Sequence, residues 1–532
     1  MKKLNRAAVL LFLTVMTLGM LASCTKDGTD GRFRFPLSGE PRQLDPQVSI
    51  DDASVTVMAS IFEGLAALDE DGNAIPGAAE WVKSPDGKLY TFTLRDSKWN
   101  NDTPVTADDF VYAIRRTVDP ATKSQIADRM FFIVGAREIA KEGASLDTLG
   151  VRAVSERVLE ITLTEPNDNF PIMTATVPYY PCNREFFEQS GGKYGLEDEF
   201  TLSNGPFYVE RWQHGESLLL YRNDGYHGAA DITPSAVRYM IKPEENPLAV
   251  IASGDLDAAR VAGEKYDEAT RLGLKTVLQQ DTVQMLWFNT TFDGLHTAKA
   301  RTALRDTLEW NAITAELDEK LSLPATGFVS PAAVLADGQH YRETASTFVP
   351  GGMGVSQAAE LLREGLDEEG VDKLEKLTLL CADNDYDRAV ARMLVQSWQK
   401  NLQLYFSIEH LTTSALEARV RSGNYQIALY TSSASGSGAI DALSRFSDGV
   451  AGNFSKLSDA GYTAACHAAN GGARSEIAAL ESRLWELCPA VPITFPCDYF
   501  VVTKDAENIL LRPFNGGVHG AQFDFRHALK YS

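Results

Sequence analysis

Several short segments alternate apolar and polar residues, and this period of two predicts β-strands with one buried face. In residues 89–95, for example, Tyr90, Phe92 and Leu94 alternate with threonines. A polar turn at residues 213–216 separates two further segments of this kind, which predicts a β-hairpin. The predicted strands are residues 89–95, 158–164, 207–212 and 218–222.

Other segments repeat apolar residues every three or four positions, which predicts amphipathic helices. The first such helix begins after Thr106, where Asp109 completes a capping box and Phe110, Ile114 and Val118 share one face. Because strand and helix patterns alternate along the chain, we expect an α/β or α+β architecture. Similar helical patterns cover residues 357–366, 388–402 and 477–487.

The chain has no segment that is long enough to be a flexible interdomain linker. The stretches whose composition is most typical of a flexible linker, rich in Gly and Ser, are residues 350–354 and 432–438, and both are short. A chain of 532 residues nevertheless has the length of about three domains. We therefore expect domains that are assembled from interleaved segments of the chain.

The first residues have the features of an export signal. Lys2, Lys3 and Arg6 precede an apolar stretch, and small residues then lead to Cys24. This ending resembles the lipobox of bacterial lipoproteins. The resemblance implies cleavage before Cys24, a lipid on its sulfur atom, and a chain that is anchored outside the cytoplasm by its first residue.

Composition and motifs argue against nucleic-acid binding and against catalysis. The formal net charge of −22 disfavours binding to nucleic acid. The chain lacks a Gly-x-Ser-x-Gly elbow, a His-Glu-x-x-His pair, a Walker loop and a dinucleotide-binding fingerprint. We expect no enzymatic activity, no metal site and no cofactor. The sequence leaves open whether Cys488 and Cys497 form a disulfide or remain buried thiols.

From residue 44 onward, a series of motifs resembles the family 5 solute-binding proteins of ABC importers, the oligopeptide- and dipeptide-binding group. The resemblance covers residues 32–531 approximately. It is carried, in chain order, by Leu44-Asp45-Pro46-Gln47, Ile61-Phe62-Glu63-Gly64-Leu65, Ile75-Pro76-Gly77, Trp99, Pro104-Val105-Thr106-Ala107-Asp108-Asp109-Phe110, Asn204-Gly205-Pro206-Phe207-Tyr208, Ser253-Gly254-Asp255-Leu256-Asp257, Arg301-Thr302-Ala303-Leu304 and Ala490-Val491-Pro492-Ile493.

This resemblance implies a two-lobed α/β fold of the periplasmic-binding-protein type (type II), with an additional domain and with lobes built from discontinuous segments. The expected function is capture of peptides, mainly oligopeptides, outside the membrane and delivery to a permease by lobe closure. The predicted divisions are residues 1–23 (signal peptide), 24–31 (tether), 32–60 with 200–283 and 496–532 (first lobe), 61–199 (additional domain) and 284–495 (second lobe).

The expected partners are a peptide ligand and an ABC permease with its ATPase subunits. We expect contact with the membrane only through the lipid on Cys24, no nucleic acid, and a monomer at the outer face of the cytoplasmic membrane. Two alternatives stay open. One is a non-peptide solute such as a metal chelate or a sugar, and the other is a surface-anchored peptide-processing enzyme or chaperone.

The family's ligand-lining positions match two segments of this chain, although each segment is equally compatible with a structural loop edge. Oligopeptide binders of the family carry a Trp-x-x-Asp-like element after the second segment, and its aspartate pairs with the peptide's α-ammonium group. This chain has residues 432–435, Ser-Ser-Ala-Ser, at that place. Three possibilities stay open. Asp51 or Asp52 takes the place of this acid, the ligand has no free amine, or the ligand is not a peptide. The predicted ligand-binding residues are Ile50, Asp51, Asp52, Leu429, Tyr430, Thr431, Ser432 and Ser433.

Overall fold

The computed structural model describes most of the chain after its N-terminal segment. The predicted signal peptide, tether and Cys24 lie outside the described residues, as does Ser435. No described helix is both long enough and apolar enough to cross a bilayer. The described ranges are residues 32–69, 73–241, 246–335, 337–374, 377–434, 438–450, 452–469, 473–512 and 522–530.

The β-strands are spread over the whole described chain. In chain order they are β1 Arg32–Pro36, β2 Ala66–Leu68, β3 Ala74–Pro76, β4 Ala79–Lys83, β5 Leu89–Leu94, β6 Val151–Ser155, β7 Val158–Thr162, β8 Phe207–Gln213, β9 Ser217–Arg222, β10 Ala236–Met240, β11 Ala258–Ala262, β12 Lys275–Gln279, β13 Thr282–Phe288, β14 Ser322–Pro324, β15 Leu377–Ala382, β16 Phe406–Leu411, β17 Ile427–Ser433, β18 Ala490–Pro496, β19 Asp498–Val502, β20 Ala506–Glu507, β21 Leu510–Arg512, β22 Gln522–Asp524 and β23 Leu529–Lys530.

The longer helices lie mainly in the second half of the chain. In chain order the α-helices are α1 Asp52–Ile61, α2 Ala107–Val118, α3 Ala136–Glu142, α4 Phe170–Thr174, α5 Arg184–Gln189, α6 Pro247–Ala252, α7 Tyr266–Arg271, α8 Ala298–Asp306, α9 Trp310–Ala315, α10 Val355–Glu369, α11 Asp385–Leu402, α12 Thr413–Ser422, α13 Ala439–Ser444, α14 Ala460–Ala468 and α15 Arg474–Leu487.

The strands and helices predicted from periodicity are confirmed within a few residues at each end. Tyr90, Phe92 and Leu94 of β5 are buried as the alternation predicts. The backbone N–H of Thr106 donates to the Asp109 carboxylate at 2.9 Å, so the predicted capping box opens α2. The hairpin forms between β8 and β9.

Two four-stranded sheets share one hydrophobic core in the first part of the molecule. Their strand orders are β1-β10-β9-β8 and β4-β5-β7-β6. The core is continuous from Phe33 and Phe35 of β1 to Phe92 of β5 and Phe110 of α2. Since this core spans both the predicted first lobe and the predicted additional domain, it does not mark a boundary between them. That boundary stays a prediction.

A six-stranded sheet, with the order β14-β18-β13-β17-β15-β16, is the centre of the other lobe. Alternate residues of β13 point to opposite faces of the sheet. Met285 and Trp287 belong to the hydrophobic core on one face, and Leu286 and Phe288 belong to the core on the other. The sheet is therefore covered on both sides.

A three-stranded sheet, β11-β19-β12, connects the two parts. The chain leaves this sheet through Gln280 and Asp281, which join β12 to β13. It returns through Cys497, which joins β18 to β19. Both connections are short, and they lie next to each other because β12 pairs with β19 and β13 pairs with β18.

Cys488 and Cys497 are buried free thiols, so the structure favours one of the two possibilities that the sequence leaves open. They lie at opposite ends of the extended strand β18. A strand of seven residues spans roughly 23 Å. A disulfide requires Cα atoms within about 7 Å of each other.

A buried ion pair fixes the segment that precedes the predicted ligand-lining residues 48–52. The Arg116 guanidinium of α2 donates to both carboxylate oxygens of Asp45, at 2.8 and 3.3 Å. It also donates to the Gln47 side chain at 2.8 Å and stacks on the Phe187 ring, 3.8 Å from the ring centroid. These contacts hold residues 44–49 against α2.

Replacing Asp45 by alanine should lower the free energy of unfolding by about 3–5 kcal/mol, because the buried Arg116 charge then lacks its partner. Urea denaturation followed by circular dichroism measures this change. Glu188→Ala removes the exposed ion pair with Arg184 and serves as the control, which should leave the free energy of unfolding nearly unchanged because water screens this pair. Equal, small losses for both variants would contradict this account of Asp45.

Candidate ligand-binding site

A pocket of about 510 Å³ lies beside the C-terminal end of β17. Four of the predicted ligand-binding residues line it together, and the other lining residues come from several other elements of the chain. The pocket is lined by Tyr430, Thr431, Ser432, Ser433, Arg260, Thr282, Arg421, Arg445 and Phe454.

The backbone of β17 presents an open edge to this pocket. On one side, β17 pairs with β13 along its whole length. On the other side, its described pairing with β15 covers only Ile427 and Ala428. Beyond Ala428, residues 430–432 have no ladder partner among the described strands on that side. An extended chain can pair with such an edge.

The side chains of β17 alternate between the pocket and the core. The Tyr430 ring packs edge-on against Phe454, with the ring centroids 5.6 Å apart. Burial raises the pKa of Tyr430 to about 12, so its hydroxyl group is neutral. Leu429, also predicted to bind ligand, is buried in the core on the other face of the sheet. Only the backbone of Leu429 is oriented to serve a ligand.

The first predicted segment has a mainly structural arrangement. The Asp51 carboxylate accepts the backbone N–H of Ser54 at 3.0 Å and caps α1. Ile50 and Asp51 are not among the lining residues of the described pocket. Asp52 is not among them either, although it helps to raise the pKa of Arg260, which does line the pocket. Ligand contacts by Ile50, Asp51 and Asp52 stay predictions.

At one end of the pocket, an arginine is neutralised by acids. The Nε atom of Arg260 on β11 donates to the Asp498 carboxylate at 3.1 Å. Burial opposes the charge, but Asp498 and Asp281 outweigh burial and raise the pKa of Arg260. About a third of this side chain (35%) remains exposed. This end of the pocket therefore has no excess positive charge.

The other end of the pocket holds a buried arginine without an acidic partner among the described residues. Arg445 is only 8% exposed, and it donates through Nη1 to the Ser432 hydroxyl at 3.2 Å. Its guanidinium lies 5.5 Å from the Trp287 ring centroid and 5.4 Å from that of Phe454. Burial lowers the pKa of Arg445 to about 10, so the group stays charged at neutral pH.

Two more arginines lie close to Arg445, one on each side of the cleft. Arg421, at the end of α12, lines the pocket and pairs with Glu417 at 2.8 Å. Arg129 belongs to the 3₁₀ turn Ala127–Met130 of the opposite lobe. Burial lowers the pKa of Arg129, and Asp128 and Asp441 partly offset this effect. Arg129 and Arg421 both act on the pKa of Arg445, so the three guanidinium groups share one region.

Asp441, the first acid after β17, has a structural role. Its carboxylate accepts the backbone N–H of Gly438 at 3.0 Å and so caps α13. Burial raises the pKa of Asp441 to about 6, and Arg129 acts in the opposite direction. Among the described residues, no three His, Cys, Asp or Glu side chains are grouped as a metal site requires.

Another recess, of about 550 Å³, lies in the first part of the molecule near Glu63 and Arg526. Its charged groups already pair with protein groups. Arg526 binds Asp524 at 2.7 Å, and Glu63 binds His227 at 2.6 Å. The pocket beside β17 is therefore the better candidate for a ligand.

Sequence reasoning did not identify Arg260, Arg421, Arg445 or Phe454 as parts of the site. They come from β11, from the end of α12 and from the segments after α13. No charge cluster or motif marks them in the sequence. Only the fold, which brings β11 of the three-stranded sheet and β17 of the six-stranded sheet to one pocket, shows that they belong together.

The comparisons with known proteins agree with one another. The model of "Bacterial extracellular solute-binding proteins, family 5 Middle" matches residues 74–454. The chain is 29% identical to the dipeptide-binding protein DppE of Bacillus subtilis, over 68% of this chain and 67% of that protein. It is 28% identical to the oligopeptide-binding protein OppA of the same organism, over 80% of this chain and 81% of that protein.

Solved structures share the fold over nearly the whole chain. The pheromone receptor PrgZ gives a TM-score of 0.79 at 23% identity, covering 95% of this chain and 100% of PrgZ. The Escherichia coli murein tripeptide binding protein MppA gives 0.78 at 23% identity, covering 94% of this chain and 99% of that one. These likenesses show that the chain has the predicted two-lobed α/β fold.

The lobes of this chain are close together. The unliganded open form of MppA gives a TM-score of only 0.68, at the same 23% identity and covering 95% of this chain and 99% of that one. The present arrangement is thus less similar to the open form. The action of Arg129 from one lobe on Arg445 of the other agrees with this closeness.

Proposed function

Because this chain belongs to the bacterial extracellular solute-binding proteins of family 5, we propose that it captures peptides outside the cytoplasmic membrane as the substrate-binding component of an ABC importer. The main observation in support of this proposal is the open edge of β17 beside a polar pocket. The two Bacillus subtilis relatives are named as peptide-binding proteins rather than as enzymes.

The pocket suits a ligand that is recognised through its backbone. A peptide that lies along residues 430–432 gains N–H and C=O partners whatever its sequence. Thr431, Ser432 and Ser433 line the same pocket, and their polar atoms can bind such a ligand directly or through water. This arrangement supports binding of varied peptides rather than of one fixed side chain.

Delivery requires that the permease distinguish the loaded protein from the empty one. The two neighbouring connections, through residues 280–281 and through Cys497, support a hinge between the lobes. A ligand that contacts both lobes favours the closed form by its higher affinity for that form. In our proposal the closed monomer then docks on the permease, and the ATPase subunits drive import.

The proposed place of action is the outer face of the cytoplasmic membrane. The basic start, the apolar stretch and the Cys24 ending of the leader support a lipid anchor. An anchor of this kind keeps a diffusing binding protein near its permease.

Peptide capture should appear as thermal stabilisation by a mixed pool of short peptides. A ligand at 100 times its Kd stabilises the folded state by about 2.7 kcal/mol. Thr431→Trp fills the pocket and should abolish the shift, whereas Trp at the exposed Ser422 of the same lobe should leave it unchanged. If the wild type shows no shift with any peptide length, the ligand is not a peptide.

Cys24→Ala should release the protein from the membrane fraction and leave its peptide affinity unchanged, because Cys24 precedes the described fold. Fractionation of cells followed by immunoblotting measures the release. Membrane retention of the variant would contradict the lipid anchor.

A further inference from the structure

The pocket beside β17 contains a charge that the described protein leaves uncompensated. Arg445 is more than nine-tenths buried, and its Nε atom has no hydrogen-bond partner among the described residues. Residues 435–437, which lie outside the described residues, are Ser-Gly-Ser and carry no charge. A buried charge without a partner is unfavourable unless a ligand supplies the counter-charge.

The surroundings of Arg445 leave the edge of its guanidinium for such a ligand. Trp287 and Phe454 lie against the group at 5.5 and 5.4 Å, as in cation–π contacts. Rings in this position stabilise the charge but accept no N–H hydrogen bonds. The donors of a guanidinium lie in its plane, in a fork that matches a carboxylate.

The other charges of this region do not supply the missing anion. Glu417 pairs with Arg421, and Asp441 caps α13 through Gly438. Asp128 and Asp441 act on Arg129, but no carboxylate is among the groups that act on Arg445. The charged groups that act on the pKa of Arg445 are Arg421 and Arg129, and both are positive like Arg445 itself.

We propose that the ligand presents a carboxylate to Arg445, with Arg421 at the mouth of the pocket and Arg129 of the opposite lobe beside it. This inference rests on the proposed function and names the class of ligand within it: a peptide that carries a carboxylate in the part of the pocket that Arg445 lines. A carboxylate at this point also neutralises the repulsion between arginines of the two lobes, and so it favours closure.

Six pools of tetrapeptides test this inference with the full mature protein. Every peptide carries one Glu, one Gln or one Lys among neutral residues, and each pool is made both as the free acid and as the C-terminal amide. We expect removal of the recognised carboxylate to weaken binding about tenfold or more, as measured by calorimetry. A Glu preference identifies a side-chain carboxylate, and a free-acid preference identifies the C-terminal one.

Three variants test whether the preference depends on the arginines. Arg445→Gln and, separately, Arg129→Gln should reduce the preference for the recognised carboxylate, and Arg445→Lys should retain more of it than Arg445→Gln. This ratio of affinities is insensitive to the fraction of folded protein. Arg363→Gln, at an exposed position of α10 in the same lobe as Arg445, is the control and should keep the full preference.

The outcomes separate this inference from the proposed function. If all six pools bind within about threefold of one another, or if the Lys pool binds best as its amide, peptide capture stands and the carboxylate subsite is wrong. An undiminished preference in Arg445→Gln also overturns the subsite. If no pool binds, the proposed function itself fails.

Discussion

The two lobes are joined by only two short stretches of backbone in the described chain, residues 280–281 and Cys497. These stretches continue paired strands on both sides, so any movement of one lobe relative to the other has to take place at these two links. In the present arrangement, Arg129 of one lobe acts on Arg445 of the other.

The cleft combines a strand edge, which can pair with any peptide backbone, with charged side chains, which can select among ligands. The open edge of β17 recognises a backbone and is indifferent to sequence. The charges around it are not uniform, because Arg260 is neutralised by Asp498 whereas Arg445 has no acidic partner among the described residues. A fold that is shared at 23% identity can therefore hold a different ligand preference without any change of architecture.

The sequence predicts local structure here better than it predicts the site. The alternation in residues 89–94 and the capping box at Thr106 act within a few residues, so β5 and α2 were predictable. The family resemblance located β17, although the period of two also implies that Leu429 turns away from Tyr430. Arg445 was not predictable, because its importance arises from burial beside Trp287, which is far away in the sequence.

In our proposal this protein holds a peptide beside β17. Mass spectrometry of the small molecules that co-purify with the protein, released by denaturation, identifies the ligand without assuming its class. We expect short peptides of varied sequence in near-stoichiometric amount, present in the wild type and absent from a variant whose pocket is filled. A single non-peptide compound in stoichiometric amount, released from the wild type and not from the filled variant, would contradict it.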